Sequence, residues 1–357
     1  MEVKYYEAET NSFKNGLLKK DGLRHYMEPV EDDNFNAGLY LSPGWIDIHT
    51  HIFDGFGLFG TNADEIGWKH GTCLVVDAGT VGDFTIDGFK KYVAPTIKTN
   101  FRIFLCVSPI GVIFHHEYNA MQYLDIDRTV ETINQNRDIV SGVKVRIGSE
   151  VIRFEGVEPL RIASAVARKT SLPLMVHIGG VPPCFEDIEP YLSEGDVLTH
   201  VFNGRGAGVW NADGTPTVAM RKVIDKGVNL DVGHGSGSFD FDVFRKAAEH
   251  SLPKFLIGTD LHSYSIKRSV FNMETTLSKM LGLKVKLEDI MYGVTKGPAQ
   301  VLHLDKWCDM SDLQNATMFR VVDKEKAYTD SDGNSYTFAK AIEPVAIILN
   351  NQLIELG

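Results

Sequence analysis

Two histidines one residue apart close the apolar run Pro43-Gly44-Trp45-Ile46-Asp47-Ile48-His49-Thr50-His51. In a β-strand, the period of two puts His49 and His51 on one face, roughly 6 to 7 Å apart along the strand, so both imidazoles can reach one metal ion. His-x-His is a common tripeptide and carries little weight alone. Other polar residues stand in or at the ends of later apolar runs: Lys144 in Gly142-Val143-Lys144-Val145-Arg146-Ile147-Gly148, His177 in Pro173-Leu174-Met175-Val176-His177-Ile178, His200 after Leu198-Thr199, and Asp260 in Leu256-Ile257-Gly258-Thr259-Asp260. Each has a plain alternative. His177 fits a satisfied core histidine, and Asp260 fits an N-cap for the next helix. Lys144 is harder to dismiss, because a lysine in an apolar strand is costly to bury without a partner. Six residues of this kind in equivalent places point to one site.

Three more residues belong near it. Arg146 is two positions beyond Lys144 and so shares its strand face, where a guanidinium could stabilise an oxyanion, hold a substrate carboxylate or make a structural ion pair. His234, among glycines at the end of a seventh run, and His262, two residues past Asp260, read as substrate contacts or as groups that orient a ligand. His115, His116 and Tyr118 read as part of a solvated loop at the entrance.

These residues need elements to position them. Between about 43 and 305, apolar runs ending over 48–51, 75–79, 105–110, 143–147, 175–179, 198–203, 229–233 and 256–260 alternate with amphipathic stretches such as 84–98, 129–140, 159–169 and 239–250. Eight strand-like runs alternating with helices match the size and order of a (β/α)8 barrel of the TIM type. An open doubly wound sheet gives a similar local pattern. The barrel is favoured because polar residues gather at the ends of many runs, where a barrel brings them to one mouth. Outside this region, Asn15-Gly16, Asp21-Gly22 and Glu31-Asp32-Asp33-Asn34 are hairpin signals, as is Asp330-Ser331-Asp332-Gly333-Asn334 between two strand-like runs, 316–322 and 346–352. The two ends, 1–42 and 306–357, are expected to pair into one small β unit beside the 43–305 domain.

The 357 residues are 43% hydrophobic and 23% charged, ordinary for a chain with a large core. A formal net charge of −11 and the lack of clustered Lys and Arg argue against nucleic acid or an anionic membrane as partner. Cys73, Cys106, Cys184 and Cys308 form no Cys-x-x-Cys pattern and read as buried or free thiols. The N-terminus does not resemble a signal peptide, and no apolar run approaches a membrane span, so the expectation is a cytoplasmic protein.

Taken together, Pro-Gly-Trp-Ile-Asp-Ile-His-Thr-His and the Lys, His, His and Asp that follow resemble the amidohydrolase superfamily, in its branch with two metals bridged by a carboxylated lysine. Thr295-Lys296-Gly297-Pro298-Ala299 is similar to the segment where such chains leave the barrel. The stretches 231–239 and 258–262 resemble a bacterial subgroup described as dihydroorotase-like or adenine-deaminase-like, some members of which are deacetylases. The resemblance implies a small β-sandwich built from both termini. It implies that His49, His51 and Asp260 hold one metal, His177 and His200 the other, and Lys144, as its N6-carboxylate, bridges both. Zn²⁺ suits such ligands, as do Mn²⁺, Fe²⁺ or Co²⁺. A hydroxide bridging the metals would attack an amide or ester carbonyl, with Asp260 as proton shuttle. The expected activity is removal of an acetyl or other small acyl group from a carboxylate-bearing small molecule. The alternatives are a cyclic-amide hydrolase like dihydroorotase, an adenine-type deaminase, and a binding relative without catalysis. A homo-oligomer stays open.

Overall fold

The computed structural model describes residues 1–31, 35, 37–153 and 156–357. Among the described residues, fourteen strands lie in two sheets: β1 (Glu2–Glu7), β2 (Ser12–Asp21), β3 (Arg24–Pro29), β4 (Tyr40–Pro43), β5 (Trp45–Thr50), β6 (Thr72–Gly82), β7 (Asn100–Cys106), β8 (Val140–Ile147), β9 (Leu174–Ile178), β10 (Val197–Thr199), β11 (Asn229–Asp231), β12 (Ala316–Thr329), β13 (Ser335–Leu349) and β14 (Gln352–Glu355). Strands β5 to β11 pair in parallel in chain order, the topology expected of a βα barrel.

The eighth expected strand is an irregular segment, 256–261, that closes the ring. Its backbone touches β11 at the Asp231–Leu256 bridge and β5 at the Thr50–Leu261 bridge. Two buried carboxylates hold it where ladder bonds are few. Asp47 accepts from Thr259 N at 3.0 Å and from the Thr259 hydroxyl at 2.5 Å. Asp231 accepts from Gly258 N at 2.7 Å and from the Thr199 hydroxyl at 2.7 Å. A short irregular strand is thereby pinned to both neighbours by side chains, and its backbone is free to turn Asp260 into the mouth.

The helices follow their apolar periodicity. Helix Glu158–Thr170 buries Leu160, Ala163, Val166 and Ala167, spaced at three and four residues along one face, and packs against β8 and β9. Helix Ile126–Gln135 starts at Asp125, whose carboxylate accepts from Arg128 N, and ends before the expected limit because Val140 already belongs to β8. The stretch 84–98, expected as amphipathic and helical, is continuously helical over residues 86–96, but its hydrogen bonding changes along the way, from Ile86–Gly88 through a π-type segment Phe89–Val93 to a 3-10 turn Ala94–Thr96.

Both ends of the chain build the other sheet, in the order β14-β13-β12-β4-β1-β2-β3. Val3, Tyr5, Met27, Leu41, Ala316, Met318 and Ile348 form its own core, while Tyr6, Phe319 and Ile342 join the barrel's. The turns at Asp21-Gly22 and 330–334 fall where expected. Asn15-Gly16 does not: it lies inside β2, opposite Lys4 and Val3. A Cβ on Gly16 would come 2.8 Å from the Tyr5 ring, so this glycine makes room for an aromatic and does not turn the chain. The expected run 346–352 is divided by a turn at Asn350 and Asn351, both at positive φ, the geometry a two-residue hairpin needs. Asp32, Asp33 and Asn34, expected in a turn, lie outside the described residues. No described helix is long and apolar enough to cross a membrane.

Candidate metal centre

Ligand atoms of His49, His200 and Asp260 lie within 4.8 Å of one another at the C-terminal ends of the barrel strands. His51 joins through its Nε2, 3.1 Å from Asp260 Oδ1, and His49 Nε2 lies 3.5 Å from the same oxygen. The backbone is bent to bring them there. His200 and Asp260 both have left-handed backbones, with φ of 68° and 50°, which non-glycine residues seldom adopt without compensating contacts.

The ring orientations fix which nitrogens face the centre. His200 Nδ1 donates to the carbonyl of Gly233 at 2.6 Å, so Nε2 carries the lone pair. That Nε2 is buried and without a hydrogen-bond partner. His49 Nδ1 donates to the Thr199 hydroxyl at 2.9 Å, since that hydroxyl spends its own proton on Asp231. Two imidazoles are thus held in the metal-ligand tautomer by contacts behind them. Burial, then the positive groups nearby, pushes both rings well below the usual histidine range, so both are neutral at pH 7. Burial alone would raise Asp260, but the His49, His51 and His262 rings around it hold its carboxyl well below the usual range. Neutral nitrogens and an ionised carboxylate, with a buried acceptor left unpaired, fit a divalent metal ion.

Lys144 is fully buried on β8. Its Nζ lies 3.1 Å from His49 Nε2 and 3.4 Å from Met175 Sδ, and burial lowers it to about 8. His177 lines the same cavity, its ring centroid 4.4 Å from that of His200, but its Nε2 contacts Glu150 Oε1 at 3.2 Å. Burial, the largest influence, takes His177 down to about 4; burial also pushes Glu150 up, but the His177 ring and backbone N–H groups, that of Gly180 among them, together bring it down to about 2.

The cavity above these groups is about 60 Å³ and is lined also by Phe59, Val112, Arg146 and His262. Arg146 faces it as expected. Its guanidinium pairs with Glu117 at 3.3 Å and stands 5.8 Å from the centre of the Phe59 ring. Burial pushes Glu117 up to about 7, although Arg146 pulls it down. His262 is lowered to about 4, by burial first, and its Nδ1 accepts from Tyr264 N at 3.2 Å.

Two expectations are narrowed. Of the two readings of His234, substrate contact does not fit, since it does not line this cavity, and a place behind the ligands does: it is fully buried, its Nδ1 donating to Gly235 O at 2.9 Å and its Nε2 2.8 Å from Lys279 Nζ. The loop carrying Tyr118 is not solvated throughout. Tyr118 and Glu117 are buried, and the Tyr118 hydroxyl accepts from Arg146 N at 3.1 Å, because a buried guanidinium needs a carboxylate and a rigid seat. Asp231, Glu117, Glu150 and Lys279 were missed. Glu150 alone had a local signal, continuing the alternation 144, 146, 148, 150.

No protein-family model matches the chain. It is 31% identical over 333 residues to a deacetylase of Agrobacterium fabrum, covering 91% of this chain and 82% of that one. It is 32% identical over 361 residues to a deacetylase of Brucella anthropi, covering 99% and 89%. Among solved structures, one described as an adenine deaminase superposes with a TM-score of 0.90 at 28% identity, covering 99% of this chain and 98% of that one. One described as a dihydroorotase gives 0.88 at 28% identity, covering 99% and 96%.

Proposed function

The chain belongs to the amidohydrolase superfamily, in the group that holds these deacetylases, and on that premise we propose that it removes a small acyl group, acetyl foremost, from a carboxylate-bearing small molecule. The observation that carries this reading is the convergence of the unpaired His200 Nε2, His49 Nε2 and Asp260 beneath a cavity walled by Arg146. His49, His51 and Asp260 would hold one divalent ion, zinc by preference, and His177 and His200 a second, with Lys144 between them as its carbamate. Two such ions, when bound, acidify a water to near neutrality and polarise the scissile carbonyl.

Lys144 is suited to carboxylation because burial leaves part of its population as the free amine. The amine adds to CO₂ and loses a proton, turning a buried cation into an anionic oxygen ligand. Asp260, kept ionised by the rings around it, takes the proton of the attacking water and passes it to the leaving nitrogen or oxygen. Arg146, braced by Glu117 and Tyr118, presents its remaining N–H groups to the substrate carboxylate. Phe59 and Val112 narrow the space beside it, which favours a small acyl group. The solved relatives described as a dihydroorotase and an adenine deaminase support two competing reactions, ring opening and deamination. Steady-state assays on N-acetyl amino acids, acetylated hydroxy acids, dihydroorotate and adenine separate the three by product: acetate, a ring-opened acid or ammonia.

A further inference from the structure

Lys279 is a second fully buried lysine, on helix Met273–Gly282, and no step above uses it. Its Nζ meets three acceptors from three parts of the fold: His234 Nε2 at 2.8 Å, Ser269 O at 2.6 Å and Thr329 O at 2.8 Å. His234 belongs to the turn after β11, Ser269 to the segment after the eighth strand, and Thr329 to the end of β12 in the sheet built from the termini. Because His234 Nδ1 donates to Gly235 O, its Nε2 is an acceptor, and the ammonium can satisfy all three of its protons.

The turn that His234 occupies is the back wall of the metal centre. Gly233 O receives the Nδ1 proton of His200, which aims His200 Nε2. Gly235, at φ +52°, lies so close to Asp260 that a Cβ there would stand 2.4 Å from Oδ2. The terminal sheet grips the same turn. Ser331, in the β12–β13 turn, has its hydroxyl 3.1 Å from His234 O and 2.9 Å from Gly235 O, and its Oγ accepts from Phe239 N at 3.2 Å. Asp330 beside it is buried, accepting from Phe241 N at 3.1 Å and Asn334 N at 2.8 Å, so the tip is itself held in place.

We propose that Lys279, His234 and Ser331 are positioning residues: they fix the 233–235 turn, and through it aim His200 and Asp260, so that the β12–β13 hairpin is a working part of the active site. The inference rests on the assignment of His200 and Asp260 to the metal centre. A strut that only stabilised the fold would affect melting temperature, and activity only in proportion. A strut that aims ligands acts on metal retention and turnover beyond any change in melting.

The test compares Lys279→Met, Ser331→Ala and the control Ile342→Val, a buried β13 residue whose side chain packs in the barrel core, with the metal-loaded wild type. Metal retention is read by competition with a chromogenic chelator, beside kcat, KM and melting temperature. Lys279→Met and Ser331→Ala are expected to weaken retention and lower kcat by about 10-fold or more with KM little changed, the usual cost of removing the group behind a ligand. Ile342→Val is expected to lower the melting temperature and leave retention unchanged. The Lys279→Met/Ser331→Ala double variant is expected to lose less than the sum of the two singles, since both act through one turn. Ser331→Ala folds readily if Lys279→Met does not, and it carries the test alone in that case. Wild-type retention in the variants, or equal loss in Ile342→Val, would overturn the strut. A wild-type protein that binds no metal would overturn the centre it is said to aim.

Discussion

Lys144 Nζ lies 3.1 Å from His49 Nε2, so a lysine sealed in the barrel wall faces a ring nitrogen and not a carboxylate. Burial lowers this side chain to about 8, toward the free amine that reacts with dissolved CO₂. Metal-loaded protein supplied with ¹³C-bicarbonate should therefore show a carbamate carbon resonance that Lys144→Met lacks. Fully metallated, active protein with no such signal would remove the bridging carbamate from the proposal.

Asp260→Asn should lower kcat by about 10²-fold, a typical contribution of a general acid or base. Asp260 is also placed among the ligands, so metal content must be measured on the same sample. A variant that keeps its metal and its turnover would exclude Asp260 as the proton carrier.

Arg146→Met should raise KM for carboxylate-bearing substrates by about 10-fold, the scale of one lost charge-assisted hydrogen bond. Substrates with the carboxylate replaced by a neutral amide should be affected little. A fall in kcat shared equally by both substrate types would instead assign Arg146 to the oxyanion.

Glu117 makes a prediction about stability that needs no substrate. Its folded value, about 7, is above the ordinary 4.5 because it is buried. Between those two pH values the native state binds more protons than the unfolded state, so this residue lowers stability as pH rises, with the full cost present above about 7. Glu117→Gln cannot ionise. The melting temperature of metal-free Glu117→Gln minus that of the wild type should therefore grow from pH 4.5 to 7 and level off above it. A difference independent of pH would contradict a carboxyl that burial holds above its ordinary range despite Arg146.

The barrel and the convergence of His49, His51, His200 and Asp260 were legible because both rest on local patterns. A strand repeats every two residues, so His49 and His51 declare their common face in three letters, and later strand ends repeat the device. What was not legible depends on distant partners. His234 reads equally as a substrate contact or as a group behind a ligand, and only Lys279, 45 positions away and holding its Nε2, decides between them. Asp47 and Asp231 carry no local sign that they lace an irregular eighth strand into the barrel, and Glu117 is an ordinary loop acid until Arg146 packs on it. Asn15-Gly16 has the letters of a turn, and only the Tyr5 ring across the sheet explains its place in a strand.

The most direct test of the assigned chemistry is acetate release from a panel of N-acetyl amino acids and acetylated hydroxy acids, measured on one preparation before metal removal, after chelation and after zinc is restored. We expect release from the metal-loaded protein, its loss on chelation and its return with zinc. Full acetate release by metal-free protein, or turnover of dihydroorotate or adenine with none of any acylated substrate, would contradict a metal-dependent deacylase.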